Sequence, residues 1–195
     1  MKEKSSGVKV FVIGLILVGL VLGYFFYLSA KKSDKNADDD VKVGAVQEVL
    51  LRNLEKNYPP SPREVIKYYG KITQCFYGEE YTEEEFYQLA MKIQELYDDE
   101  LVANQTQEQY LEGLRWEIGQ FKEQEMVISS YSLPSSTDVE FFSEDGYNWA
   151  RLYATFTLRK GTQLGMTSEV FLLRRDEAGH WKIYGWQLED QGAQN

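Results

Sequence analysis

Twenty-one consecutive residues, Val10 to Ala30, carry no charge. As an α-helix rising about 1.5 Å per residue, that run measures about 30 Å, the hydrocarbon thickness of a bilayer. Leu, Val and Ile dominate it, and Tyr24, Phe25, Phe26 and Tyr27 close it where an aromatic belt belongs. Residues 10–30 are therefore expected to form a transmembrane helix after a short basic N-terminus, residues 1–9. Lys2, Lys4 and Lys9 precede the run and Lys31, Lys32 and Lys35 follow it, so flanking charge nearly balances. A short basic segment before an apolar run is the signal-anchor arrangement, and Asp38-Asp39-Asp40 open the part that follows. The expected orientation is N-terminus inside, with the folded part outside the cytoplasmic membrane. A cleaved signal peptide is the competing reading. Its apolar core of about 7–15 residues is shorter than this run, and Leu28-Ser29-Ala30 is a poor small-x-small cleavage site. No Cys follows to carry a lipid. Gly19 and Gly23 form a G-x-x-x-G, which makes a second copy of the chain a candidate partner.

Charge sharpens the division. The net charge is −10 over 195 residues, yet residues 1–35 hold six Lys against two acidic residues, leaving −14 on residues 36–195. An acidic domain repels phosphates, so no nucleic-acid partner is expected. With one cysteine, Cys75, no intramolecular disulfide can form, and burial must stabilise the fold. A lone cysteine on an apolar helix face reads as a small core residue.

Residues 31–42, KKSDKNADDDVK, have no apolar period and read as a flexible linker. The soluble domain is placed at residues 43–190, with 191–195 a tail. Four helices are expected. The first, Val43 to Asn57, puts Val46, Val49, Leu50 and Leu54 on one stripe and ends at Tyr58-Pro59-Pro60. Ser61-Pro62 then offers an N-cap and an N1 proline for a helix carrying Val65, Ile66, Tyr69, Ile72 and Phe76. Thr82-Glu83-Glu84-Glu85 is a capping box for a third, with Phe86, Leu89, Ala90, Ile93, Leu96 and Tyr97. A fourth runs from Thr106 with Tyr110, Leu111, Leu114, Ile118 and Phe121; Asn104-Gln105-Thr106 fits a glycosylation sequon, but capping is the plainer role.

After Glu125 the period falls from 3.6 to 2. Strands are expected at Met126–Leu133, Asp138–Phe142, across the alternating 150–159 stretch, at 166–175 and at Trp181–Leu188. The strand at 166–175 sets Val170 and Leu172 opposite Phe171 and Leu173, so both its faces should be covered. Short turns between them make the sheet antiparallel. Helices followed by a meander define an α+β fold, with helices packed on a curved antiparallel sheet. The run Val170-Phe171-Leu172-Leu173-Arg174-Arg175-Asp176-Glu177-Ala178-Gly179-His180-Trp181-Lys182-Ile183 resembles the ending of nuclear transport factor 2-like (cystatin-like) cones. With Tyr58-Pro59-Pro60-Ser61-Pro62 and an anchor, the chain also looks like a family of membrane-tethered proteins from anaerobic Gram-positive bacteria. The resemblance implies a fold and a location rather than an activity.

Motifs for catalysis are missing. His180 is the sole histidine and stands beside a turn, so no Ser-His or Cys-His pair is expected, and with Cys75 it cannot make a zinc site. No Gly-rich phosphate loop occurs. Glu83-Glu84-Glu85 read as a helix start, Asp98-Asp99-Glu100 as a solvated helix end, and Asp38–Asp40 lack a calcium loop's spacing. Isomerases and hydratases of the cone type use a pocket Asp or His with a Tyr donor. Tyrosines abound, Tyr69 among them, but no Asp or His stands mid-strand on an apolar face. No metal, cofactor or enzymatic activity is expected. Trp149, Tyr153, Tyr184 and Trp186 are the candidate residues of a pocket or interface on the concave sheet face. The expected function is that of a non-catalytic, membrane-tethered binding or assembly domain. Its partner would be a small molecule or an envelope protein. An isomerase or hydratase, or a structural spacer in an envelope complex, is the alternative.

Overall fold

A computed structural model describes residues 44–189. The expected N-terminus (1–9), transmembrane helix (10–30), linker (31–42) and tail (191–195) lie outside the described residues. Among those described, no helix is long and apolar enough to cross a membrane. The domain is α+β, with helices packed on one face of a curved antiparallel sheet.

Helix α1 (Ala45–Leu50) is much shorter than its apolar stripe predicts. Leu51 is 82% exposed, and Asn53 turns its side-chain oxygen onto the Lys56 amide at 3.0 Å, a local bond that competes with helical hydrogen bonding. Leu54 still reaches the core from the turns that follow. Helix α2 (Pro62–Gly78) starts where the prolines require it, with Ser61 Oγ accepting from the Glu64 amide at 3.3 Å. Its buried face carries all five predicted residues and adds Tyr68 and Cys75. Helix α3 (Glu83–Gln94) and helix α5 (Gln107–Glu123) both open on reciprocal capping boxes, Thr82 with Glu85 and Thr106 with Gln109. Thr106 is thus a cap, as expected.

Between them the chain departs from the prediction. Leu96 and Tyr97 are not helical but form a parallel bridge to the last strand, with the Ile183 amide donating to the Leu96 carbonyl at 2.8 Å. A one-turn helix α4 (Asp99–Val102) follows, capped by Asp98. Asp98-Asp99-Glu100 are therefore not a solvated helix end: Asp98 is 4% exposed and ion-paired with Arg174.

Strands β1 (Met126–Ser132) and β2 (Glu140–Glu144) lie end to end along one edge of β3 (Tyr147–Lys160). Strands β4 (Gln163–Arg175) and β5 (Trp181–Leu188) extend the sheet from the other edge of β3. The β2–β3 reversal uses Asp145 and Gly146, both with positive φ (52° and 82°), the left-handed pair that a two-residue hairpin needs. Ala150, Leu152, Ala154, Phe156 and Leu158 face the helices, as the alternation predicts. On β4, Phe171 and Leu173 are buried, while Val170 and Leu172 are half-buried on the outer face.

Two irregularities reset the strands' phase. In β1 the register shifts between Ile128 and Ser130, so Met126, Ile128 and then Tyr131 face inward. In β5 the pairing passes from Leu173↔Ile183 to Leu172↔Gly185, leaving Tyr184 as the extra residue. Ile183 and Trp186, three apart, then both point into the core, which strict alternation forbids.

Candidate functional site

The helices do not fill the hollow of the sheet. Between α2, α3, α5 and strands β1, β3, β4 and β5 lies a cavity of about 300 Å³. Such a volume sits at the small end of ligand pockets, about 300–1,000 Å³. One wall is a chain of touching aromatic rings. Tyr110 meets Tyr97 edge-on with centroids 6.3 Å apart, Tyr97 meets Trp186 at 5.6 Å, and Trp186 meets Tyr69 at 5.9 Å. Phe171 supports Trp186 from behind, nearly parallel at 6.0 Å. Across the cavity Tyr77 and Phe121 pack at 4.5 Å. Trp116, 54% exposed, stands with Asn104 and Gln105 where α4 and α5 reach solvent.

Two carboxyl groups interrupt this apolar lining. Glu169, on β4 two residues before Phe171, is 9% exposed and shares the inward face of Phe171 and Leu173. Burial, which strips water from the charged form, and the nearby negative charge of Glu117 push its pKa up to about 8. Among the described residues Glu169 has no hydrogen-bond or ion-pair partner. Glu117, on α5, is partly buried, and burial raises its pKa too. Burial drives the tyrosines Tyr69, Tyr77 and Tyr97 far above the usual phenol range, so they stay neutral donors. Among the described residues no lysine, arginine or histidine lines the cavity. Such a wall can accept a proton, donate hydrogen bonds and hold apolar surface, but has no fixed cation.

Of the four aromatics singled out from sequence, Trp186 lines the cavity. The other three stand on the outer face, because Trp149 and Tyr153 share the phase of Arg151, and Tyr184 is the bulge residue. Trp149 and Tyr184 meet edge-on at 5.0 Å and, with Tyr147, surround the Arg174 guanidinium. That guanidinium holds Asp98 with two nitrogens and Glu100 with the third at 2.7 Å, while Tyr184 donates to Glu100 at 3.1 Å. This cluster ties α4 to the outer sheet. Its donors are spent on protein groups. Tyr153 is 44% exposed.

Glu169 and Glu117 were missed, though both had a signal. Glu169 lies in the i, i+2, i+4 phase with Phe171 and Leu173, and Glu117 falls on the stripe of Tyr110, Leu114 and Phe121. A search for mid-strand Asp or His passes over a glutamate. Elsewhere, His180 stacks on Tyr58 at 4.3 Å and lies 3.6 Å from Asp176, and Cys75 is buried, its thiol pushed up to about 11 chiefly by burial. Among the described residues no group of three or more His, Cys, Asp or Glu could hold a metal ion.

Fold and site together define a class: an α+β domain enclosing an aromatic, carboxylate-bearing cavity that opens to solvent. The family model described as "Domain of unknown function (DUF6715)" matches residues 1–186, and the chain belongs to that family. No curated protein matches the chain.

Proposed function

We propose that this chain is a membrane-tethered, non-catalytic binding protein whose folded domain, outside the cytoplasmic membrane, takes a small and largely apolar molecule into the cavity. The observation that carries the reading is the cavity itself, open and walled by Trp186, Tyr97 and Tyr69, with the unpaired Glu169 side chain on its inner face. A domain built only as a spacer has no use for a carboxyl group turned into an open, largely apolar cavity, where desolvation raises its pKa. The tether reading rests on the charge-free Val10–Ala30 run. A cone of the nuclear transport factor 2-like kind is supported by the helices that precede the antiparallel meander and pack on its curved sheet.

The test is native mass spectrometry of the full-length chain extracted from its own membranes in mild detergent. A small molecule should leave the protein on activation. Trp186→Ala should lower its occupancy at least tenfold and Tyr153→Ala should leave it unchanged. The reverse order of effects moves the working surface to the outer sheet face and to a protein partner.

One observation favours a second reading, a small-molecule isomerase or hydratase. A carboxyl group poised near neutral pH beside tyrosine hydroxyls is suited to general acid–base work. On that reading Glu169→Gln abolishes turnover of the bound molecule while it still binds.

A further inference from the structure

Resting on the reading of the cavity as a binding site, we infer that its ligand is an organic cation, an amine or quaternary ammonium carrying an apolar body. The wall combines the two features that recognise such a group. Aromatic rings attract a cation through their quadrupoles, more strongly once water is excluded. Trp186, Tyr97, Tyr69 and Tyr110 form one continuous aromatic surface around the space. The charge to be neutralised is supplied from two elements that face each other across it, Glu169 on β4 and Glu117 on α5.

Glu169 is the decisive group. It is nine-tenths buried, lines the cavity, and has no donor among the described residues to satisfy it. A ligand bearing positive charge completes it. An anionic ligand meets two carboxyl groups and no basic side chain. A bare metal ion needs six or more oxygen ligands if it is calcium, or several retained waters if it is magnesium, and a mostly aromatic wall does not provide them. The −14 carried by residues 36–195 also draws cations toward the domain.

Proton linkage follows. The groups facing Glu169 are Glu117 from α5, Tyr69 and Tyr77 from α2, Tyr110 from α5, and Tyr97 from the bridge beside β5. The tyrosines do not ionise near neutrality, so the carboxyl groups carry the pH dependence. The free cavity holds Glu169 protonated below about pH 8, and a bound cation expels that proton. Affinity therefore rises with pH up to about 8 and levels off above it.

The probe is benzyltrimethylammonium, whose charge does not change with pH, compared with its uncharged carbon isostere neopentylbenzene and with the anion phenylacetate. Binding to the detergent-solubilised full-length chain is read by calorimetry and tryptophan fluorescence at pH 6, 7, 8 and 9. The expected result is binding of the cation at least tenfold tighter than the isostere, no binding of the anion, and tighter cation binding at pH 8 than at pH 6. Glu169→Gln, an isostere of the protonated acid that keeps the fold, should remove the cation's advantage and its pH dependence while leaving neopentylbenzene unaffected. Glu117→Gln should weaken the cation by a smaller factor. Equal binding of cation and isostere, or cation affinity indifferent to both pH and Glu169→Gln, overturns the charge assignment and leaves the cavity a binding site. Failure of all three probes to bind overturns the assignment and the binding reading together.

Discussion

Glu169 gives the stability of the free protein one component of its pH dependence, as well as giving the cavity its character. Its folded pKa, about 8, lies above the ordinary carboxylate range of about 4 that it regains on unfolding. Between those values the unfolded chain releases a proton that the folded one keeps. Folding stability is therefore fully supported at pH 4 and declines as pH rises through 5 to 8, by at most about 1.4 kcal/mol per pH unit. Replacing Glu169 by Gln removes this slope. Thermal denaturation should show wild type and Glu169→Gln alike at pH 4.5 and the variant clearly more stable at pH 8.5. Identical pH profiles would falsify the desolvated state of this carboxyl group in the cavity. The same residue shows how much of the site was legible. Its phase with Phe171 and Leu173 was readable along the strand, but a carboxylate in that phase has meaning only if the opposing helix leaves space, and sequence does not show space.

Elements are held by local signals and by two strand irregularities. The capping boxes at Thr82 and Thr106 and the proline start at Ser61-Pro62 were visible because a cap is made by residues three apart. The β1 irregularity was not, and it sends Tyr131 inward against α2, where its hydroxyl donates to the Lys67 carbonyl at 2.9 Å. Its ring lies so close to α2 that a Cβ added at Gly70 would stand 2.9 Å from it. A Cβ added at Gly119 on α5 would meet nothing within 4 Å. Both are helical glycines, so alanine gains about 1 kcal/mol of helix propensity at either. Gly119→Ala should raise stability by about that much in urea unfolding. Gly70→Ala should lower it by about 1–2 kcal/mol, because overpacking at Tyr131 outweighs the propensity gain. Should Gly70→Ala also stabilise, the close approach of α2 and Tyr131 is wrong.

At the scale of the whole molecule, the proposed reading joins a membrane tether at the Val10–Ala30 run to a binding task for the cavity. Protease added to intact cells should degrade the domain, and the full chain should sediment with membranes until detergent releases it; full protection of the domain reverses the orientation. The apolar run, the negative charge of the remainder, the α+β order and most element starts were determined by the sequence alone, since each depends on neighbours within a turn of helix or a hairpin. The tertiary structure alone decided that Trp186 faces inward, because one extra residue in β5 reverses every side chain after it, whereas the outward phase of Trp149 and Tyr153 follows the alternation of β3. It also decided that Asp98 is buried against Arg174, and that Glu117 and Glu169, 52 positions apart in the chain, share one cavity. Those outcomes depend on register and on the distance between layers, and no local pattern of residues encodes either.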